Sequence, residues 1–379
     1  MKIVLAGGGS GGHVTPLKAI SEQLLIQNSH AQLIIITDRG FYGRTKQIFS
    51  QTSQTKVKKI FAGKIRRYHG KSAFWHITHL PTIFKNIRDV FYLLVGGLQS
   101  IWLLATIKPD VVFCKGGFVC VPIGYAAKLL KIKLIIHDSD TKPGLTNRLL
   151  SKFSDAIATG MPLKFYPYDK SITTYIGMPV NASYKPVTKS QQDIIKKDLG
   201  FEPGQPILLL TGGGNGSVNL NKILSDGAGE LLSSGWGIIH LVGKGKAEEV
   251  LKVKEALAKD MQQDWQVEEF TDMVPRLLAA DIVVCRTSAS TLQECANAKK
   301  TVIGVASPNL SDQIMNAEYF ASKNSIISLK EQGLFSGQVS LAKVVKDTNI
   351  KDTKLAENLH KIFAKPGAAK ELARIILNS

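Results

Sequence analysis

Two glycine-rich turns, each directly after a short apolar run, are the features of this chain most able to do chemistry. The first, Gly7-Gly8-Gly9-Ser10-Gly11-Gly12, follows KIVLA and holds Gly7, Gly9 and Gly12 at the GxGxxG spacing of a dinucleotide fingerprint. His13 comes next, with Pro16 in the same first helical turn, so an ionisable side chain sits where a pyrophosphate would pass. The second turn, Thr211-Gly212-Gly213-Gly214-Asn215-Gly216-Ser217, follows PILLL. Glycines let a backbone approach a ligand closely, and a helix N-terminus with free N–H groups stabilises negative charge without a metal. A nicotinamide enzyme needs one phosphate cradle. A cradle at the head of each half suits a transfer from a nucleotide-sugar donor, whose diphosphate gains charge as the bond to the sugar breaks.

What must position these turns is an alternation of strands and helices. KIVLAG (2–7) leads into Leu17, Ile20, Leu24 and Leu25 at helical spacing, and QLIIIT (32–37) is a continuous apolar run, as for a strand buried on both faces. DVVFC (110–114) precedes Gly116-Gly117 and a helical PIGYAAKLL; KLIIH (133–137) precedes Pro143-Gly144 and LTNRLLSKF. After a Pro-, Ser- and Lys-rich break at 177–193 the pattern restarts with strands at 206–211, 237–241, 266–270, 281–285 and 301–306. The chain therefore reads as α/β, two Rossmann-like domains with ligands at the carboxyl ends of the strands in a deep interdomain cleft. The expected divisions are an acceptor- and membrane-facing domain over 1–177, a donor-binding domain over 178–354, and a C-terminal segment, 355–379, whose helix packs back on the first domain.

Length and composition agree. At 379 residues the chain suits two domains, and 44% hydrophobic with 21% charged residues is globular. Cys114, Cys120, Cys285 and Cys295 form no CxxC and have no histidines at metal spacing, which argues against zinc or a disulfide framework. The sequence begins with a strand signal, so no signal peptide is expected. The net charge of +18 is uneven: no acid lies between Asp38 and Asp89, where Lys56, Lys58, Lys59, Lys64, Arg66, Arg67, Lys71, Lys85 and Arg88 are interleaved with Phe61, Tyr68, Phe74, Trp75 and Phe84. An anionic membrane suits that mixture; nucleic acid or plain solvent are the alternatives. The apolar run Val90–Ile107, interrupted by Gly96, Gly97, Gln99 and Ser100, is short for a span and reads as a buried or surface-docked helix.

Seven segments, in order, resemble the MurG family: GGGSGGHVTP (7–16), KGGFVCVP (115–122), HDSDTKPGLTNR (137–148), GGGNGSVNLN (212–221), GKG (243–245), CRTSASTLQE (285–294) and DQIMNA (312–317). Members transfer N-acetylglucosamine from UDP-N-acetylglucosamine to the 4-hydroxyl of the muramyl sugar of an undecaprenyl-diphosphate-linked muramyl-pentapeptide. The resemblance implies a GT-B fold and an inverting reaction. It makes His13 the candidate general base; a helix-capping or phosphate-contacting histidine is the plainer alternative. Ser10, Gly11 and Gly12 match the loop beside the substrate phosphates, and Gly214 and Asn215 belong to the corresponding second loop. Glu294 matches a glutamate that binds ribose hydroxyls, though it could be an ordinary helix acid. Gln313 matches a glutamine that reads the sugar, Thr271 a backbone contact to uracil, and Ala289, Ser290, Thr291, Leu292, Gln293 and Glu294 the helix start beside the nucleotide. Asp140 stands where some members place a sugar-binding asparagine. Gly214 replaces a common serine and Asn181 a common arginine. Arg286 could neutralise phosphate or pair structurally, and His137 could assist catalysis or bond to backbone.

The expectation is a transferase on the cytoplasmic face of the membrane, peripheral, using UDP-N-acetylglucosamine and a polyprenyl-diphosphate acceptor, with no cofactor, no protein-bound metal and no nucleic acid. Asp138-Ser139-Asp140 is the literal DxD, and it belongs to the HDSD segment rather than to a phosphate loop. Alternatives are another lipid acceptor such as diacylglycerol, a UDP-sugar 2-epimerase, a non-catalytic nucleotide-binding subunit and, last, a nicotinamide enzyme.

Overall fold

The computed structural model describes residues 1–50, 52, 54–64, 79–269 and 271–379. The chain divides into two compact units, Met1–Pro179 with Gly367–Ser379, and Val180–Pro366. In the first, seven strands form one sheet: β1 Lys2–Ala6, β2 Gln32–Asp38, β3 Thr55–Ile60, β4 Val111–Cys114, β5 Lys133–Asp138, β6 Ala156–Thr159 and β7 Thr173–Tyr175. Their order is β3-β2-β1-β4-β5-β6-β7, and every pairing is parallel. The second unit carries β8 Ile207–Thr211, β9 Gly237–Leu241, β10 Trp265–Glu268, β11 Ile282–Cys285, β12 Thr301–Ala306 and β13 Ile327–Lys330, in the order β10-β9-β8-β11-β12-β13, again all parallel. These are two Rossmann-like domains.

Continuous apolar runs make these strands because a parallel sheet is covered on both faces. Ile3, Leu5, Ile35 and Phe113 are fully buried in the first sheet, as are Leu208, Leu210, Ile282 and Val284 in the second. Helix Gly11–Gln27 packs Leu17, Ile20 and Leu24 into the first core; helix Val218–Ser233 packs Leu220, Leu224 and Leu231 into the second. In each sheet the strand order reverses at one place, between β1 and β4 and between β8 and β11. Both glycine turns emerge there, at the switch point where α/β sheets bind ligands.

The terminal helix expected over 355–377 is two helices, Lys354–Phe363 and Ala368–Leu377. Pro366 lies in the break and offers no N–H to carry a helix through it. The earlier helix stays with the second unit, where the Phe363 ring lies tilted against Phe320 with centroids 4.8 Å apart and the Phe363 carbonyl accepts from Gln293 Nε2. The later one packs along helix Gly11–Gln27 and adds Leu372, Ala373 and Ile376 to the first core.

The apolar run expected from Val90 belongs to a longer helix, Leu80–Ile107, of 28 residues. By length and composition it could cross a membrane. Its polar interruptions are what fasten it to its own domain: Gln99 Oε1 accepts from Phe61 N–H at 2.8 Å, and a Cβ on Gly96 would lie 2.0 Å from the Phe61 carbonyl oxygen. Beside the exposed Lys85 and Arg88, the residues left outside include many apolar ones: Phe84, Ile87, Phe91, Leu94, Leu98 (71% exposed) and Trp102 (69%). The helix is amphipathic in the inverse sense of an ordinary surface helix. Of the basic and aromatic residues noted beside it, Arg66, Arg67, Tyr68, Lys71, Phe74 and Trp75 lie outside the described residues.

Candidate active site

In the first unit, three turns converge at the carboxyl ends of β1, β4 and β5. Ser10 is the N-cap of helix Gly11–Gln27, which puts Gly11, Gly12 and His13 in its first turn. Asp38, at the end of β2, holds the glycine turn in place: Oδ1 accepts from Gly9 N–H at 2.7 Å and Oδ2 from Phe41 N–H at 3.2 Å. In a dinucleotide-binding domain the acid at the end of β2 is offered to a ribose. Here it is buried and engaged, which weighs against a nicotinamide cofactor.

His13 leans against the turn that follows β4. A Cβ on Gly116 would lie 3.2 Å from both Cε1 and Nδ1 of the ring, and one on Gly117 would lie 3.1 Å from Cδ2 and 2.2 Å from the Gly8 carbonyl oxygen. Gly117 also has φ +84, so only glycine fits there. His13 Nδ1 is buried and, among the described residues, has no hydrogen-bond partner. Burial first, and the positive charge of Lys115 second, push the imidazole down to about 3, so the ring is neutral at physiological pH.

The HDSD segment is anchored rather than open. His137 donates from Nε2 to the Gly177 carbonyl at 2.9 Å and is fully buried, the backbone-bonding role of its two alternatives. Asp138 accepts from Tyr168 Oη at 2.5 Å, from Ser139 N–H at 2.9 Å and from Gly144 N–H at 3.2 Å. Asp140 follows, partly exposed, on the same rim as His13's neighbour Lys115.

In the second unit the glycine turn and the turns after β11 and β12 are tied together. Arg286, directly after β11, donates to Ser217 Oγ at 2.7 Å and to the Val305 carbonyl at 3.2 Å, and forms a buried ion pair with Glu331. That is the structural-pair role. Thr287 Oγ1 donates to the Gln313 carbonyl at 2.7 Å, and Gln313 Oε1 accepts from Ser307 N–H at 3.2 Å. Gly214 and Asn215 are exposed at the tip of their turn, where the Asn215 carbonyl accepts from Lys246 Nζ at 2.9 Å. Thr271 precedes Asp272, which caps helix Met273–Ala279; Phe270 lies outside the described residues.

Helix Ala289–Asn297 starts beside this network. Ala289, Ser290, Thr291 and Glu294 lie in its first turns, and burial pushes the Glu294 carboxyl up to about 8. Among the described residues no donor or cation is bound to that carboxylate. Leu292 is fully buried, and Gln293 is committed to Phe363 and to Asn297 Oδ1 at 3.0 Å, so neither side chain is presented with Glu294. Asn181 is exposed, and its Oδ1 accepts from Ser183 N–H at 2.8 Å.

Two residues of evident consequence were not singled out from sequence. Asp38 could have been found as the acid closing the second strand. Lys115 sits inside KGGFVCVP, but a lysine at full burial contradicts what composition leads one to expect.

Known proteins share both halves of this arrangement. Residues 3–159 match the glycosyltransferase family 28 N-terminal domain and residues 207–374 its C-terminal domain. A UDP-N-acetylglucosamine--N-acetylmuramyl-(pentapeptide) pyrophosphoryl-undecaprenol N-acetylglucosamine transferase of Clostridium tetani (strain Massachusetts / E88) is 33% identical over 346 residues, covering 88% of this chain and 86% of that protein. Among solved structures, MurG of Acinetobacter baumannii superposes with a TM-score of 0.67 at 21% identity, covering 100% of this chain and 99% of the other. A putative UDP-N-acetylglucosamine 2-epimerase from Listeria monocytogenes superposes at 0.63 with 13% identity, covering 100% and 94%. At such identities the superpositions establish the GT-B type of fold and do not separate transferase from epimerase.

Proposed function

The chain belongs to the MurG family within glycosyltransferase family 28, and from that premise we propose that it moves N-acetylglucosamine from UDP-N-acetylglucosamine to the 4-hydroxyl of the muramyl sugar of undecaprenyl-diphosphate-linked muramyl-pentapeptide. The membership carries the reading, and a glycine turn at the switch point of each sheet supports it. The likeness in fold to an epimerase does not compete with it, because the relative at 33% identity is a transferase.

In this reading the second domain holds the donor. Glu294 accepts the ribose hydroxyls, Gln313 reads the sugar, and backbone N–H groups of the glycine turn and of the helix start at Ala289 face the diphosphate. Arg286 contributes by fastening the turns that present those groups, its charge being matched by Glu331. The first domain holds the acceptor, with Ser10, Gly11 and Gly12 beside its phosphates and Asp140 near its sugar. His13 takes the proton of the 4-hydroxyl as that oxygen bonds to the anomeric carbon. The bond from that carbon to UDP breaks, UDP leaves with the electron pair, and the configuration inverts. The ring is neutral at pH 7, the form a base requires, and the negative charge of an arriving acceptor diphosphate raises its basicity.

The acceptor's lipid implies a membrane surface, and the outer face of helix Leu80–Ile107 fits one. Phe91, Leu94, Leu98 and Trp102 face outward, with exposed Lys85 and Arg88 on the same helix and exposed Lys56, Lys58 and Lys59 on β3. Each cation near an anionic leaflet adds about 1 kcal/mol. Vesicles with anionic lipid should retain the protein at low salt, and Leu98→Glu with Trp102→Glu should release it; equal retention of the double variant would contradict this docking face.

The deciding assay follows radiolabel from UDP-N-acetylglucosamine into the muramyl-pentapeptide lipid, for wild type and His13→Ala. Transfer that falls ~100-fold or more in the variant supports both the reaction and the base. Transfer that survives the substitution removes His13 as the base. A protein that binds the donor and transfers nothing to this lipid overturns the choice of acceptor.

A further inference from the structure

Lys115 is a buried cation that none of the proposed chemistry uses. It follows β4 directly, at the switch point of the first sheet, and is fully buried. A buried ammonium is expensive unless something holds it. Its Nζ donates to Ser139 Oγ at 2.5 Å, bridging the turn after β4 to the turn after β5. Among the described residues it makes no ion pair. Burial brings it down to about 8, against the pull of Asp140 and Asp138. The corresponding station in the second sheet, directly after β11, is Arg286, and there Glu331 matches the charge at bonding distance. The first domain keeps its cation bonded to a hydroxyl, with Asp138 and Asp140 acting on it only from a distance, next to the residues that wall His13.

That wall is the backbone of Gly116 and Gly117, continuous with Lys115: a Cβ on either would lie 3.1–3.2 Å from the imidazole, and at Gly117 the Gly8 carbonyl oxygen, 2.2 Å away, leaves no room for one. Anything that fixes Lys115 therefore fixes the surface on which the ring rests. We infer that Lys115 is a positioning residue for His13: anchored on Ser139, it holds the Gly116-Gly117 turn against the imidazole and sets the positive potential in which that ring works. The inference rests on reading His13 as the base.

Among the described residues, the charged or titratable groups on the turns around His13 include Lys115 and Cys120 after β4, His137, Asp138 and Asp140 from β5 and its turn, and Asp38 from β2. Asp38 is held by two backbone N–H groups and Asp138 by Tyr168, Ser139 and Gly144, so neither is free to turn toward the ring. Of these, Lys115 is the charge that bears on the ring. Its field opposes protonation of His13, and an anionic diphosphate arriving at this rim offsets that field, so the ring gains basicity only when the acceptor is in place.

The test titrates the histidine rings by NMR in the full chain, with His13 assigned by the resonance lost in His13→Ala, beside steady-state transfer assays. In Lys115→Met the His13 ring should titrate about one unit higher or more, a tenfold gain in proton affinity, because a cation is lost and Asp138 and Asp140 are unmasked. The acid limb of the kcat profile should move the same way, with kcat down about tenfold while KM for UDP-N-acetylglucosamine stays within about twofold. Lys115→Arg should keep the ring near its wild-type titration. Ser139→Ala keeps the charge and removes the anchor, so kcat should fall with the ring's titration unchanged. A His13 titration in folded Lys115→Met that matches wild type overturns the inference. Should Lys115→Met fail to fold, a Ser139→Ala enzyme with wild-type kcat overturns it instead. Wild-type turnover in His13→Ala sinks only the base reading, since the ring titration reports the field of Lys115 whether or not the ring takes a proton from substrate.

Discussion

Glu294 should make donor binding depend on pH in a range where an ordinary carboxylate site, already ionised, would be flat. Its carboxyl is pushed up to about 8 because it is buried without a cation or a donor to stabilise the charge. Ribose hydroxyls donate hydrogen bonds, and the ionised carboxylate is the form that accepts both. With the group titrating at about 8, about one site in ten is ionised near pH 7 and about half near pH 8. Affinity for UDP-N-acetylglucosamine should therefore rise with pH, roughly ninefold from about pH 6 to 7, roughly fivefold from about pH 7 to 8, and little beyond. The donor's diphosphate is esterified at both ends and has no proton to lose over that range, so the slope belongs to the protein. Calorimetric titrations of wild type and Glu294→Gln across the range would measure it. The glutamine cannot ionise, so its profile should be flat and weaker at the alkaline end. A flat wild-type profile, or the same slope in both proteins, refutes the reasoning.

Other expectations follow from buried charge and tight backbone. Glu331→Ala leaves Arg286 buried and unpaired and should destabilise the second domain by about 3–5 kcal/mol in urea unfolding, and a loss below about 1 kcal/mol would mean the pair is dispensable. His13 and His240 are each held at about 3 by burial against an unfolded value of 6.5, so the stability they lend is complete above about pH 6.5 and is lost as pH falls toward 3. Between about pH 6.5 and 5 each should cost about 2 kcal/mol, and equal urea midpoints at the two pH values would contradict that. Gly117→Ala should displace the turn from Gly8 and His13, lowering kcat with donor affinity unchanged, as separate binding and turnover measurements would show.

The strands were legible because a parallel sheet buries both faces, so runs such as Val111–Cys114 and Ile207–Thr211 carry no polar residue to confuse them until the turn. The glycine turns were legible for a related reason, since close backbone approach leaves a composition as well as a shape. Orientation around a helix was not. Gln293 and Glu294 are neighbours in sequence but point about 100° apart, and Gln293 is claimed by a carbonyl seventy residues onward. The same non-locality decided Arg286, whose partner Glu331 lies forty-five residues away. The long helix reads shorter in sequence because its first turns, through TIFKNIRD, are polar enough to pass for surface, and its inverted amphipathicity disguises which face packs on the domain. Lys115 escaped notice because its role depends on a burial that lysine seldom accepts.

The discontinuity of the first domain also sets an order of events during biosynthesis. Its core lacks Leu372, Ala373 and Ile376 until the chain has been made through residue 377, although the sheet they cover is complete by residue 175. The intervening unit, Val180–Pro366, is continuous in sequence. At ribosomal speeds of about 5–20 residues per second, the apolar stripe on helix Gly11–Gln27 waits uncovered for about ten to forty seconds. The domain synthesised first is thus the one completed last. Its nascent form presents a sticky surface for that interval, and any shortening of the chain's far end damages the domain at its beginning.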